Sequence, residues 1–136
     1  MRALHHRDTE TQRTEETGVS EAVIGYSIEI HKALGPGLLE STYEEFLAYE
    51  LLNGGHRIKR QIELPIVYKG VRLNAGYRID LVVDDLVIVE LKSVERILPV
   101  HEAQLLTYLR LTKKKVGLLI NFNVPALKDG VRRFVL

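Results

Sequence analysis

The run Leu86-Val87-Ile88-Val89-Glu90-Leu91-Lys92 constrains this chain more than any other segment. It is apolar on both sides of the pleat, the pattern of a central strand covered on both faces, and such a strand needs helices above and below its sheet. Two charges interrupt the run. An isolated ionised carboxylate in an apolar layer is very costly, so Glu90 has to be paired, bound to a cation or protonated. Residues two apart on a strand share a face, which sets Lys92 beside Glu90. A structural ion pair near a sheet end accounts for that much, and a catalytic role requires a further acid.

Asp80 supplies one. It lies on the preceding strand, and the connection decides whether it meets Glu90. A two-residue Asp84-Asp85 turn would set Asp80 opposite Val89, with the two carboxylates on opposite faces. A three-residue loop, Asp84 to Leu86, sets Val83 opposite Val87 and Asp80 opposite Glu90; a bulge would serve equally. In that register Asp80, Glu90 and the backbone carbonyl of Leu91 form a set of hard oxygen donors suited to Mg²⁺ or Mn²⁺. Such a cation with an adjacent lysine suits phosphodiester hydrolysis. Crowded carboxylates resist full ionisation, so a raised pKa is expected at Glu90, where burial and like charge act together.

The rest of the chain supports one domain. The 136 residues suffice for one ordinary core, and a 46% hydrophobic, 27% charged composition is globular. Residues 1–19 read as a solvated polar tail without the apolar stretch of a secretory leader, and residues 20–136 as the domain. His5-His6 in that tail offers at most an incidental metal contact. Helices are expected from Ser20 to Leu34, from Leu38 to Asn53 and from Val100 to Thr112. Strands are expected within Arg57–Tyr68, along all of Val71–Val83, and at Leu86–Lys92, Val116–Asn121 and Val131–Leu136. The order, α-α-β-β-β-α-β-β, describes an α/β (α+β) fold with a central mixed sheet flanked by helices.

Composition removes several function classes. Nineteen Lys and Arg against eighteen Asp and Glu leave +1, so nucleic acid would have to be held by a local patch rather than by bulk charge. The absence of cysteine excludes disulfides, thiolate metal sites and cysteine nucleophiles, and suits a reducing, cytoplasmic setting. No apolar run approaches a membrane span.

The spacing D-x9-E-x-K, here Asp80…Glu90-Leu91-Lys92, resembles the PD-(D/E)XK nuclease superfamily, with Ile79 where its name has proline. Gly37-Leu38-Leu39-Glu40-Ser41-Thr42-Tyr43 matches the G-x-x-E-x-x-Y signature of the GxxExxY family within it. That likeness runs from about Val23 through Asn123-Val124-Pro125 and Lys128-Asp129-Gly130. Gln104-Leu105-Leu106-Thr107-Tyr108 is similar to the Q-x-x-x-Y motif of RecB-type members. The resemblance implies a restriction-endonuclease-like core and a metal-dependent nuclease acting on nucleic acid, with DNA the expected substrate. A homodimer or a partner protein is compatible with it. The alternative is a non-catalytic or accessory module that keeps the fold and binds nucleic acid or protein.

Within that resemblance Asp80 and Glu90 hold the metal, Lys92 activates water or stabilises the transition state, and Glu40 adds a third carboxylate. Glu40 also suits the first turn of its helix whatever its function. Gln104 and Tyr108, one turn apart, share a helix face and support the site. Tyr43 is expected to be buried and to brace Glu40, His101 to hydrogen-bond at its helix start, and Arg78 to reach phosphate. Tyr77 falls on the core face by alternation. Lys113-Lys114-Lys115 and Arg132-Arg133 are further candidate phosphate contacts.

Overall fold

A computed structural model describes the backbone of residues 2–136 and the side chains of residues 9–136. The described residues form helices α1 (Arg2–Leu34), α2 (Glu40–Asn53) and α3 (Pro99–Thr112). The strands are β1 (Ile58–Glu63), β2 (Ile66–Tyr68), β3 (Val71–Leu73), β4 (Arg78–Val83), β5 (Val87–Lys92), β6 (Val116–Asn121) and β7 (Val131–Val135). Five strands make one sheet in the order β1-β4-β5-β6-β7; β2 and β3 form a separate hairpin. The β5–β6 pair is parallel and its neighbours antiparallel, because α3 crosses over between β5 and β6.

Helices cover both faces, as the apolar β5 requires. On one face α1 and α2 pack Val23, Leu47 and Leu51 against Leu81, Val89, Leu91 and Leu118. On the other, α3 packs Leu105, Tyr108 and Leu109 against Ile79, Val82, Ile88 and Leu119. Val87 to Leu91 are all buried. None of the helices, among the described residues, is long and apolar enough to cross a membrane.

Two expectations are corrected. The supposed tail is helical: α1 is continuous to Leu34 and does not begin at Ser20. Glu16, Val19 and Ser20 are buried on the stripe that continues through Val23 and Ile30, so the packed face begins a turn earlier than the apolar residues announce. Ser20 donates its hydroxyl to the Glu16 carbonyl (2.8 Å) inside the helix, so it caps nothing. The side chains of His5 and His6 lie outside the described residues. The second correction concerns Val71–Val83, which is two strands rather than one. Asn74 to Tyr77 form a loop, with Gly76 at φ +80°, so Val71 and Leu73 are exposed instead of lining the core.

Candidate active site

The β4–β5 hairpin sets the site. Asp84 and Asp85 both adopt left-handed φ (53° and 58°), and Leu86 donates its N–H to the Val83 carbonyl (3.0 Å). Val83 then pairs with Val87, Val82 with Ile88 and Leu81 with Val89, so Leu86 belongs to the loop. This is the three-residue connection, and continuing the register sets Asp80 across from Glu90.

At that point the ladder changes character. Leu91 donates its N–H to Asp80 Oδ2 (2.8 Å), and Asp80 donates its own N–H to Glu90 Oε1 (3.2 Å). Each carboxylate is therefore held by an amide of the opposite strand, and Asp80 occupies the slot of a strand carbonyl. The Lys92 carbonyl accepts from Phe122 on the β6 side (2.9 Å), so by strand alternation the Leu91 carbonyl is directed to the β4 side, toward Asp80.

At the same level β1 is irregular too. Gln61 has a left-handed φ of 49°, and neither it nor Asp80 takes part in the β1–β4 ladder. A non-glycine residue in that region strains the backbone. Here the kink lets consecutive residues reach one partner, which a regular strand forbids: Arg60 Nε and Gln61 Nε2 both donate to Glu44 of α2 (3.0 and 2.6 Å). Gln61 Nε2 also donates to Asp80 Oδ1 (3.3 Å). Ile79 and Leu81 consequently bury on opposite faces although only two residues apart.

A cavity of about 390 Å³ opens where β4 leaves β5, and Glu40, Arg78, Asp80, Glu90, Lys92, Gln104 and Tyr108 all line it. Glu90 is 6% exposed, and burial, reinforced by the charge of Asp80, pushes its pKa up to about 9. The metal-free site therefore holds Glu90 protonated at neutral pH. Tyr108 is pushed up to about 12 by burial and by the charges of Glu90 and Asp80, so its hydroxyl keeps its proton. Lys92 is half-buried and, among the described residues, makes no ion pair with Glu90 or any other acid. The structural ion pair that would have explained Glu90-x-Lys92 is not formed.

Glu40 reaches the rim from the first turn of α2, where its Oε1 accepts the Ser93 N–H (3.3 Å). Tyr43 is fully buried and stacks on Phe122 with ring centroids 4.2 Å apart. Its hydroxyl does not touch Glu40: it donates to the Gly35 carbonyl (2.6 Å) and accepts the Leu38 N–H (3.1 Å), clamping the Gly35-Pro36-Gly37 loop that launches α2. His101 Nδ1 accepts the Leu98 N–H (3.0 Å) at the start of α3.

The other cations divide. Arg78 faces the cavity and lies 3.7 Å from Glu63. Lys114 is bound to Asp85 (2.8 Å), and Lys113 to Lys115 precede β6 at the sheet end opposite Lys92, so that run is not beside the site. Arg132 is tied to Glu102 of α3 (3.0 Å). Tyr77 was expected in the core, but it is 42% exposed and lines the cavity, because the Asn74–Tyr77 loop ends the alternation. Sequence reasoning also missed Glu44 and Gln61. A buried glutamate on α2 carries a faint signal, whereas a kinked glutamine carries none.

Two carboxylates and a strand carbonyl directed to one gap form a hard-oxygen donor set, which fits a cation that keeps several of its waters. Among the described residues no three His, Cys, Asp or Glu side chains are gathered so as to hold a metal ion, so Glu40 is not drawn up to Asp80 and Glu90 as a third side-chain ligand. A mixed sheet covered by helices on both faces, bearing an aspartate, a glutamate and a lysine where its central strands part, is the architecture of a nuclease-type core. The chain belongs to the PD-(D/E)XK nuclease superfamily, whose family model matches residues 17–134. No curated protein and no solved structure matches it.

Proposed function

We propose that this protein is a divalent-metal-dependent nuclease of the GxxExxY type that hydrolyses phosphodiester bonds in DNA, in a reducing, cytoplasmic setting. The observation that carries the reading is Lys92, a half-buried ammonium that lines one cavity with Asp80 and Glu90 and, among the described residues, is in no ion pair. In this reading Asp80, Glu90 and the Leu91 carbonyl hold Mg²⁺ or Mn²⁺, with Glu40 joining directly or through water. When bound, the cation polarises phosphoryl oxygens and lowers the pKa of bound water. Lys92 offsets the charge that develops on the phosphate or orients the attacking water. Gln104 and the protonated Tyr108 support the site from α3, and Arg78 contacts a neighbouring phosphate at the rim.

A digestion panel of purified protein on single- and double-stranded DNA and RNA tests this, run with Mg²⁺, Mn²⁺ or EDTA and repeated with Lys92→Ala. Cleavage should require metal. It should fall about 100- to 1,000-fold in the variant, the typical worth of one group acting on developing charge. The variant's unfolding midpoint should stay close to wild type, since no ion pair is lost. Equal cleavage by both proteins would refute the assignment. So would two inert proteins with Lys92→Ala much the less stable, which would support a binding module that keeps the fold.

A further inference from the structure

Next to the catalytic cleft, between the β2–β3 hairpin and α3, lies a second cavity of about 580 Å³. The two share Ala75, Tyr77, Gln104 and Tyr108 as walls, so a ligand seated at the carboxylates continues directly into it. Their chemistry differs sharply. The cleft carries Glu40, Arg78, Asp80, Glu90 and Lys92, whereas among the described residues no Asp, Glu, Lys or Arg lines the second cavity. Its sides are mostly apolar, with Leu73 from the hairpin and Val100 from the helix both well exposed, and His101 and Thr107 add neutral polar edges from α3. Tyr77 stands at the junction. Among the described residues the Gln104 amide has no hydrogen-bond partner in the protein, although it is half-buried. An amide left unpaired at the junction of an apolar pocket has hydrogen bonds to offer a ligand.

The ligand that suits both cavities has an anionic part for the cleft and, a short linkage away, a neutral flat part with hydrogen-bonding edges. A nucleotide within a strand has that form. A base stacked in a duplex cannot present its face to a protein pocket; only an unpaired or extruded base can. We propose that the second cavity receives one unpaired nucleobase next to the scissile phosphate, stacked on Tyr77 and hydrogen-bonded by Gln104, so that the substrate strand is single-stranded at that nucleotide. This deepens the nuclease reading and rests on it.

The test measures binding apart from cleavage. Lys92→Ala protein with Mg²⁺ is titrated into a short single-stranded DNA carrying 2-aminopurine, and into the same strand annealed to its complement. The single strand should bind more tightly, with a saturable fluorescence change reporting the seated base. Adding Tyr77→Ala should weaken single-strand binding roughly 5- to 150-fold, the range of one base–aromatic stack, and Tyr77→Phe should restore it. Ala103→Phe, which fills the cavity and leaves Tyr77 in place, should weaken it comparably. Equal affinity for both forms with no effect of Tyr77→Ala or Ala103→Phe would overturn the base pocket, even if the digestion panel shows a working nuclease. Failure of the single strand to bind would overturn it too. A base signal lost in Tyr77→Ala alongside an inert digestion panel would keep the pocket and remove the catalytic reading.

Discussion

Glu90→Gln tests the charge structure of the site without recourse to catalysis. Glu90 has a folded pKa of about 9 against an ordinary 4.5. The folded state therefore keeps a proton that the unfolded chain releases. The stabilisation is complete below about pH 4.5 and is lost progressively as pH rises toward 9. At about 1.4 kcal/mol per pH unit, wild type gives up to about 3 kcal/mol between pH 4.5 and pH 7. Glutamine retains the oxygen that accepts the Asp80 N–H and cannot ionise. In EDTA, Glu90→Gln should therefore match wild type near pH 4.5 and exceed it by up to about 3 kcal/mol at pH 7, on the order of 10 °C in Tm for a domain of this size. Urea unfolding followed by circular dichroism from pH 4.5 to 8.5 measures this, and the difference between the proteins cancels the other titrating groups. A difference that does not change with pH would refute the reasoning. Adding Mn²⁺ should reverse the order, because wild type gains binding energy that the amide forgoes. Equal stabilisation of both would remove Glu90 from the ligand set.

Three further outcomes follow from the geometry. Gln61→Ala cuts the bridge from Glu44 to Asp80 and should weaken Mn²⁺ binding several-fold by calorimetry, with Asp80 itself intact. Tyr43→Phe removes the hydroxyl between Gly35 and Leu38; it should cost about 1–2 kcal/mol in denaturant unfolding and lower metal affinity by loosening the loop that presents Glu40. Gly130→Ala sets a Cβ against the Asn121 carbonyl and the Val124 side chain, a clash with backbone, and should cost more than about 2 kcal/mol, whereas Gly117→Ala meets only the Leu105 side chain and should cost less.

Much of the fold was legible because burial writes period and polarity into strands. Val116–Asn121 reads directly as β6, and the apolar run ending at Lys92 reads as the covered centre of the sheet. The Asp80–Glu90 pairing was legible only as a choice between loop lengths, since Asp84-Asp85 suits either. What escaped has physical reasons. Glu16 and Ser20 are polar residues on a buried helical stripe, so hydropathy hides the start of the packed face of α1. The run Val71–Val83 keeps its alternation across a loop that only Asn74 and Gly76 betray. Gln61 is a left-handed residue with no side-chain signature, and the partners that hold its side chain, Glu44 and Asp80, come from other elements.

The exchange of amides between Asp80 and the β5 strand has a consequence for quality control. The carboxylates are oriented by backbone groups of the paired hairpin, so they have no fixed arrangement until β4 and β5 have closed in register. A slip of one residue would detach Asp80 from Leu91 and Glu90 from Asp80 in the same event, and would exchange the side chains that β4 buries on its two faces. Misfolding and disassembly of the carboxylate cluster are thus a single failure: a chain that has not finished its sheet has no assembled cluster at that cleft.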